Sequence, residues 1–242
     1  LPAHRGIAHL LMDVAAVRRN VAAEPAAVEA AVAALGKAVR AREQACVDHL
    51  LALHRFDPDA VDAPALPLVA GRWDTDLFAP EALARAGVRL GGGAAAGAAA
   101  GVGLDLMVGG ITLGAAAAIG AIAGSGVQGM RHYGRRALAR LRGQRELSVD
   151  EAIVRLLALR QMALLDALEG RGHAAMAPAR PTQDANARSR WRDGALPRPL
   201  RQARAEPGWS SLSASHADDP ARAAALDELA LALDDARVAR DP

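Results

Sequence analysis

The chain has 242 residues, 52% hydrophobic and 23% charged, and a formal net charge of +2, too small a surplus to argue for nucleic-acid binding from charge alone. Aromatic residues make up only 2%, so a core has to be built from Leu, Val, Ile and Ala, which weights the fold toward helix. Cys46 is the single cysteine, which excludes an intrachain disulfide and points to a reducing compartment.

The sequence starts at Leu1 rather than Met and has no signal-peptide pattern, so a piece of a longer chain is expected. Residues 1–24 read as an amphipathic helix, with Ile7, Leu10, Leu11, Val14, Val17 and Val21 at helical spacing. Glu24-Pro25 restarts the pattern, since proline suits a first helical position. A second helix follows over about 26–55, with Val28, Val32, Leu35, Val39, Cys46, Leu50 and Leu53 on a near-heptad seam that Arg42 interrupts. Such a seam packs on another helix. Residues 57–89 hold Pro58, Pro64, Pro67 and Pro80 and read as an irregular connector. In its "GRWDTDLFAPEAL", Gly71 to Leu83, the residues Trp73, Leu77 and Phe78 are expected to pin the loop to the helices; a ligand site is the second reading.

Leu90 to Met130 is 41 residues with one charge, Asp105. As one helix it would be about 60 Å long, twice the roughly 30 Å hydrocarbon core of a bilayer. Two helices, 90–108 and 111–130, turning at Gly109-Gly110, fit that thickness. Gly93, Gly97, Gly101, Asp105 and Gly109 stand four apart, and Gly110 with Gly114, then Ala116, Gly120 and Gly124, repeat the spacing, as in close-packed membrane helices. Glycine costs an isolated helix in water about 1 kcal/mol relative to alanine, so lipid or tight protein packing has to compensate. Arg85 and Arg89 precede the stretch, and Arg131, Arg135, Arg136, Arg140, Arg142 and Arg145 follow it with no acid among them. Positive flanks on both sides keep both ends on one side of a membrane, and the second group reads as a basic surface helix on anionic lipid.

"LSVDEAIVRLLALRQMALLDALEGRG" reads as a helix with a Ser148/Glu151 capping box and a stop at Gly170 or Gly172. Residues 177–216, rich in Pro, Arg, Ser and Ala, show no apolar period and read as a disordered basic arm. Residues 219–239 read as a last helix starting at Pro220.

No catalytic, cofactor-binding or metal-binding set stands out. The phosphate-loop pattern is absent: Ala38 follows Gly36-Lys37, and Lys37 is the only lysine. The dominance of arginine over lysine reads as compositional drift. His49 and His54 are five apart and share no helix face, and His4, His9, His132, His173 and His216 have no matching ligands nearby.

In order and in combination, "GRWDTDLFAPEAL", "GGGAAAGAAAGVGLDLMVGGITLGAAAAIGA" and "LSVDEAIVRLLALRQMALLDALEGRGHAA" resemble a bacterial domain of unknown function that lies C-terminal to an Era-like small GTPase domain. The resemblance covers about residues 5–175. It implies that the whole protein binds and hydrolyses GTP, with Mg, through a G domain that this chain does not contain.

The resulting expectation is an all-α protein. It has a helical domain over 1–176, a glycine- and alanine-rich helical hairpin over 90–130 within it, a disordered arm over 177–216 and a C-terminal helix over 217–242. Its partners would be the N-terminal GTPase domain of the same protein and anionic membrane lipid, with a homo-oligomer as a further expectation and no specific nucleic acid. Its place would be the cytoplasmic side of the inner membrane, or the cytoplasm. The alternative is a soluble helical interaction or oligomerisation module with the hairpin buried in protein.

Overall fold

A computed structural model describes residues 2–56, 67–88, 104–107, 144–173 and 191–236. Helix α1 (Pro2–Ala16) is buried on almost every side, with Ile7, Leu10, Leu11, Met12 and Val14 fully enclosed. The apolar residues of "GIAHLLMDVAAV" exceed one stripe, and a helix apolar all round belongs in the middle of a core.

The helix does not run on to residue 24 as its periodicity suggested. It stops at Ala16, and β1 (Arg18–Ala22) follows. The Arg18 guanidinium turns back and donates to the Ala15 and Val17 carbonyls at 3.1 and 2.6 Å. That satisfies acceptors the helix end leaves open, with a positive charge at the favourable pole. Helix α2 (Pro25–Leu53) then starts with proline in its first turn and buries Val28, Leu35, Val39, Cys46, Val47, Leu50 and Leu51. The expected seam is thus real up to Leu50, while Leu53 at its end is 43% exposed.

A two-residue hairpin joins β2 (Leu68–Val69) to β3 (Arg72–Trp73). Its central residues Ala70 and Gly71 both have positive φ, 48° and 72°, the conformation whose twist matches paired strands. Helix α3 (Pro80–Ala86) ends at Gly87, whose φ of 67° is the left-handed cap that glycine adopts without strain.

Two further strands complete a three-stranded antiparallel sheet in the order β1-β5-β4, where β4 is Leu104–Met107 and β5 is Gln144–Val149. The described residues are therefore mostly helical with a few short strands, rather than all-α. The helical hairpin meets a direct correction here, because 104–107 lie inside its first arm and are a strand. Leu104-Asp105-Leu106 alternates with the period of a strand, Gly101 and Gly103 just before it weaken a helix, and β5 offers the ladder. Asp105 stands opposite Ser148 in that ladder, not in a glycine-lined helix face. Arg145 is also in a strand, opposite Val21, and not in a basic surface helix.

Helix α4 (Glu151–His173) follows β5 directly. Its cap is Asp150, whose carboxylate accepts from the Ala152 amide at 2.7 Å, and not Ser148, which β5 takes. The helix also continues through Gly170 and Gly172, where a stop was expected. It buries Ile153, Val154, Leu156, Leu157, Met162, Leu164 and Leu165.

The expected disordered arm is folded from residue 191 onward. Helix α5 (Arg198–Ala203) and a 3₁₀ turn (Pro207–Trp209) lead into α6 (Pro220–Asp235), and α1 packs against all three. Trp191, Leu196, Leu200, Ala203 and Trp209 are buried single anchors, too sparse to form a period. Arginines tie the same segment down: Arg155 donates to the Trp191 carbonyl at 3.1 Å, Arg204 to the Val149 carbonyl at 3.2 Å, and Arg18 to the Arg204 carbonyl at 2.8 Å.

The tightest polar knot is at Asp13, 1% exposed in the last turn of α1. Its carboxylate accepts from Arg42 Nε of α2 at 2.8 Å and from Arg222 Nη2 of α6 at 3.1 Å. Ser211 adds its amide at 3.0 Å and its hydroxyl at 2.8 Å, and the Ser210 hydroxyl donates to the Asp13 carbonyl at 2.7 Å. Burial alone pushes this carboxyl up, but the bonds from Ser211 and Arg42 outweigh it and hold its pKa below the ordinary carboxylate value. Two charges from separate helices meet one buried carboxylate, so removing it strands both.

Asp13→Asn should cost about 3–5 kcal/mol in chemical denaturation, the scale for breaking a buried ion pair. The pH dependence follows from the depressed pKa. The stabilisation is complete above the unfolded-state value near about 3.9 and is lost as pH falls through the lower folded value. The variant's stability curve should therefore be flatter than the parent's on its acid limb below about pH 4.

Candidate functional site

The "GRWDTDLFAPEAL" loop is clamped to the helices by three arginines. Arg40 of α2 forks onto Asp76, with Nε to Oδ2 at 2.6 Å and Nη2 to Oδ1 at 2.9 Å, and lies 4.7 Å over the Phe78 ring. Arg160 of α4 donates to Glu43 Oε1 at 3.1 Å and to the Thr75 carbonyl at 2.8 Å, and its guanidinium stands 5.0 Å over the Trp73 ring. Arg85 of α3 reaches Asp74 at 3.0 Å and the Thr75 hydroxyl at 2.7 Å. The planar, five-donor guanidinium suits such shared contacts, which a lysine would not make.

The charges are tuned accordingly. The Thr75 hydroxyl, ahead of Arg85, holds Asp74 below the usual carboxylate range, and Arg40 does the same for Asp76. Glu43 goes the other way, because burial raises its carboxyl more than Arg160 lowers it. Burial also pushes the Cys46 thiol up to about 12, which keeps it protonated and inert.

Beside the clamp is a cleft of about 240 Å³ between α3 and α4. Its floor is Ala82, Leu156, Leu159 and Ala163. Trp73, Asp74, Thr75 and Arg160 form one wall, and Arg85 and Arg192 stand at the rim. The Trp73 indole N–H is buried with no acceptor among the described residues. Among those residues no group of three His, Cys, Asp or Glu side chains is placed to hold a metal ion.

The second site is the far end of the sheet. Met107, the last residue of β4, pairs with Glu146, and β5 begins two residues earlier at Gln144. The segment 108–143 therefore leaves and returns at the same end of one antiparallel pair. Of the residues expected to form the hairpin's packing face, only Asp105 is among the described ones. Gly93, Gly97, Gly101, Gly109, Gly110, Gly114, Gly120 and Gly124 lie outside them, as do Arg131, Arg135, Arg136, Arg140 and Arg142. Among the described residues no helix is long and apolar enough to cross a membrane. Sequence reasoning passed over Asp13, Glu43 and Arg160. Their signal was an acid inside an otherwise apolar or seam-like helix face, which calls for a buried cation.

The two kinds of arginine contact should separate in stability. Arg160→Ala leaves Glu43 buried beside the gap and should cost about 3–5 kcal/mol. Arg85→Ala removes a pair whose side chains are 65% and 53% exposed, and its midpoint should stay close to the parent's in the same denaturation assay.

No curated protein and no solved structure matches the chain. A family model described as "Domain of unknown function (DUF3482)" matches residues 2–231. That match passes well beyond residue 175, where the resemblance read from the sequence ended, and takes in α5 and most of α6. With the family model covering nearly its whole length, the chain belongs to the DUF3482 family of domains of unknown function.

Proposed function

We propose that this chain is the accessory part of a bacterial GTPase, docking it on the cytoplasmic side of the inner membrane and coupling that contact to a G domain outside the chain. GTP and Mg would be bound by that G domain, and this chain would contribute no catalytic residue. The observation that carries the membrane reading is the return of segment 108–143 to its own starting point on β4 and β5. Val108 to Met130 carries no charge, and the five arginines from Arg131 to Arg142 follow with no acid. Both flanks are on one side by construction, as an excursion into a membrane face requires.

The strand β4 also limits the depth of that excursion. Two full crossings need about 40 apolar residues, and only the 23 from Val108 to Met130 remain between β4 and the first arginine. The reading is therefore a shallow insertion held by arginine at anionic headgroups rather than a spanning hairpin.

The chain should float with vesicles containing phosphatidylglycerol and stay behind with pure phosphatidylcholine. Each of Arg131, Arg135, Arg136, Arg140 and Arg142 changed to Gln should weaken binding by up to about fivefold, the equivalent of roughly 1 kcal/mol per basic residue near an anionic surface. Arg145→Gln, in a strand, should matter less. Failure to float with anionic vesicles would sink the membrane reading in favour of a soluble interaction module whose small-residue segment is buried in protein.

A further inference from the structure

We infer that the cleft between α3 and α4 binds a monocarboxylate carried on a short apolar body. This inference is independent of the membrane reading. Three guanidiniums line the cleft, but Arg85 is paired with Asp74 at 3.0 Å and Arg160 with Glu43 at 3.1 Å. Arg192 has no ion-pair or hydrogen-bond partner among the described residues. One uncompensated positive charge calls for a single negative one, which disfavours a multiply charged phosphate.

The rest of the lining selects what the anion is attached to. Leu156 and Ala82 are buried, and with Leu159 and Ala163 they make a floor that a bare ion would leave uncovered. An apolar ligand without charge would leave Arg192 unused. Trp73 also lines the cleft, and its buried indole N–H, without an acceptor among the described residues, is a reporter group beside it. At about 240 Å³ the cleft lies below the usual range for drug-sized ligands, about 300–1,000 Å³. That suits a group no larger than one amino-acid side chain with its carboxylate. The arginine clamp fixes Trp73, Asp74 and Thr75 before any ligand arrives, so binding requires little reordering.

A free short-chain acid and the C-terminal carboxylate of a peptide share this chemistry, and the test separates them. The ¹⁵N-labelled chain is titrated with sodium 4-methylpentanoate and with acetyl-glycyl-leucine, while the Trp73 indole N–H resonance is followed. 4-Methylpentanamide and inorganic phosphate are the controls. The expected result is a saturable shift with one or both carboxylates at concentrations up to about 10 mM, and none with the amide. The tighter of the two carboxylates identifies the source. Arg192→Gln should weaken binding about tenfold, as loss of a charge-assisted hydrogen bond does. Ala163→Leu should also weaken it by filling the floor, and Arg5→Gln, paired with Asp227 elsewhere, should leave it unchanged. Absence of a saturable shift with either carboxylate overturns the inference. So does an equal response to the amide, a stronger response to phosphate, or an Arg192→Gln variant that binds as the parent does.

Discussion

A single buried carboxylate, Asp13, organises the helical body. A carboxylate inside an apolar core is unfavourable unless its oxygens are saturated, and here Arg42, Arg222 and Ser211 saturate them. Those partners come from α2, α6 and the turn between the 3₁₀ segment and α6. The charge therefore decides which elements surround α1, and α1 in turn places β1, because the chain leaves the helix at Val17 and enters the strand at once. From β1 the order runs outward: β5 pairs with β1, β4 pairs with β5, and the segment 108–143 springs from that last pair.

Arginine supplies most of the cross-links on that path. With one lysine in the chain, nearly every cation is a guanidinium. Arg18, Arg155, Arg160 and Arg204 each reach a backbone carbonyl of a distant segment, and Arg40, Arg42 and Arg222 bind carboxylates on other elements. A core of Ala, Leu and Val with few aromatics leaves its loops weakly anchored. Multi-donor side chains compensate by tying carbonyls that no ladder satisfies. Arginine richness is thus a structural device in this protein, where its composition alone suggested drift.

Some of this was legible in the sequence. The long apolar periods at 26–50 and 151–169 are helices because their spacing admits little else. Trp73, Leu77 and Phe78 do sit on the helices, as large apolar residues in a proline-rich connector should. What misled was local. Val17 to Val21 keeps a helical period, yet its β-branched residues and the pairing offered by β5 make it a strand. Glycines four apart suggested a helix through 104–107, although Leu104-Asp105-Leu106 alternates like a strand. Residues 191–216 lack a period because they are held by isolated tryptophans, leucines and arginine bonds, and such anchoring leaves no repeat to read. The cleft and the Asp13 knot were illegible for a different reason: the knot joins residues 29 and 209 positions apart, and the cleft wall joins Thr75 to Arg160 across 85.

The central claim is that segment 108–143 is presented from β4 and β5 to a lipid surface. It is tested most directly by its environment. Cys46 is buried and its thiol is pushed up to about 12, so a Leu113→Cys variant takes a polarity-sensitive fluorophore at one position. The account predicts that the label reports water in the absence of lipid. With anionic vesicles its emission should shift to the blue and become quenchable by shallow lipid-borne quenchers. A label already shielded without lipid, and indifferent to anionic vesicles, would contradict the account and place the segment inside protein.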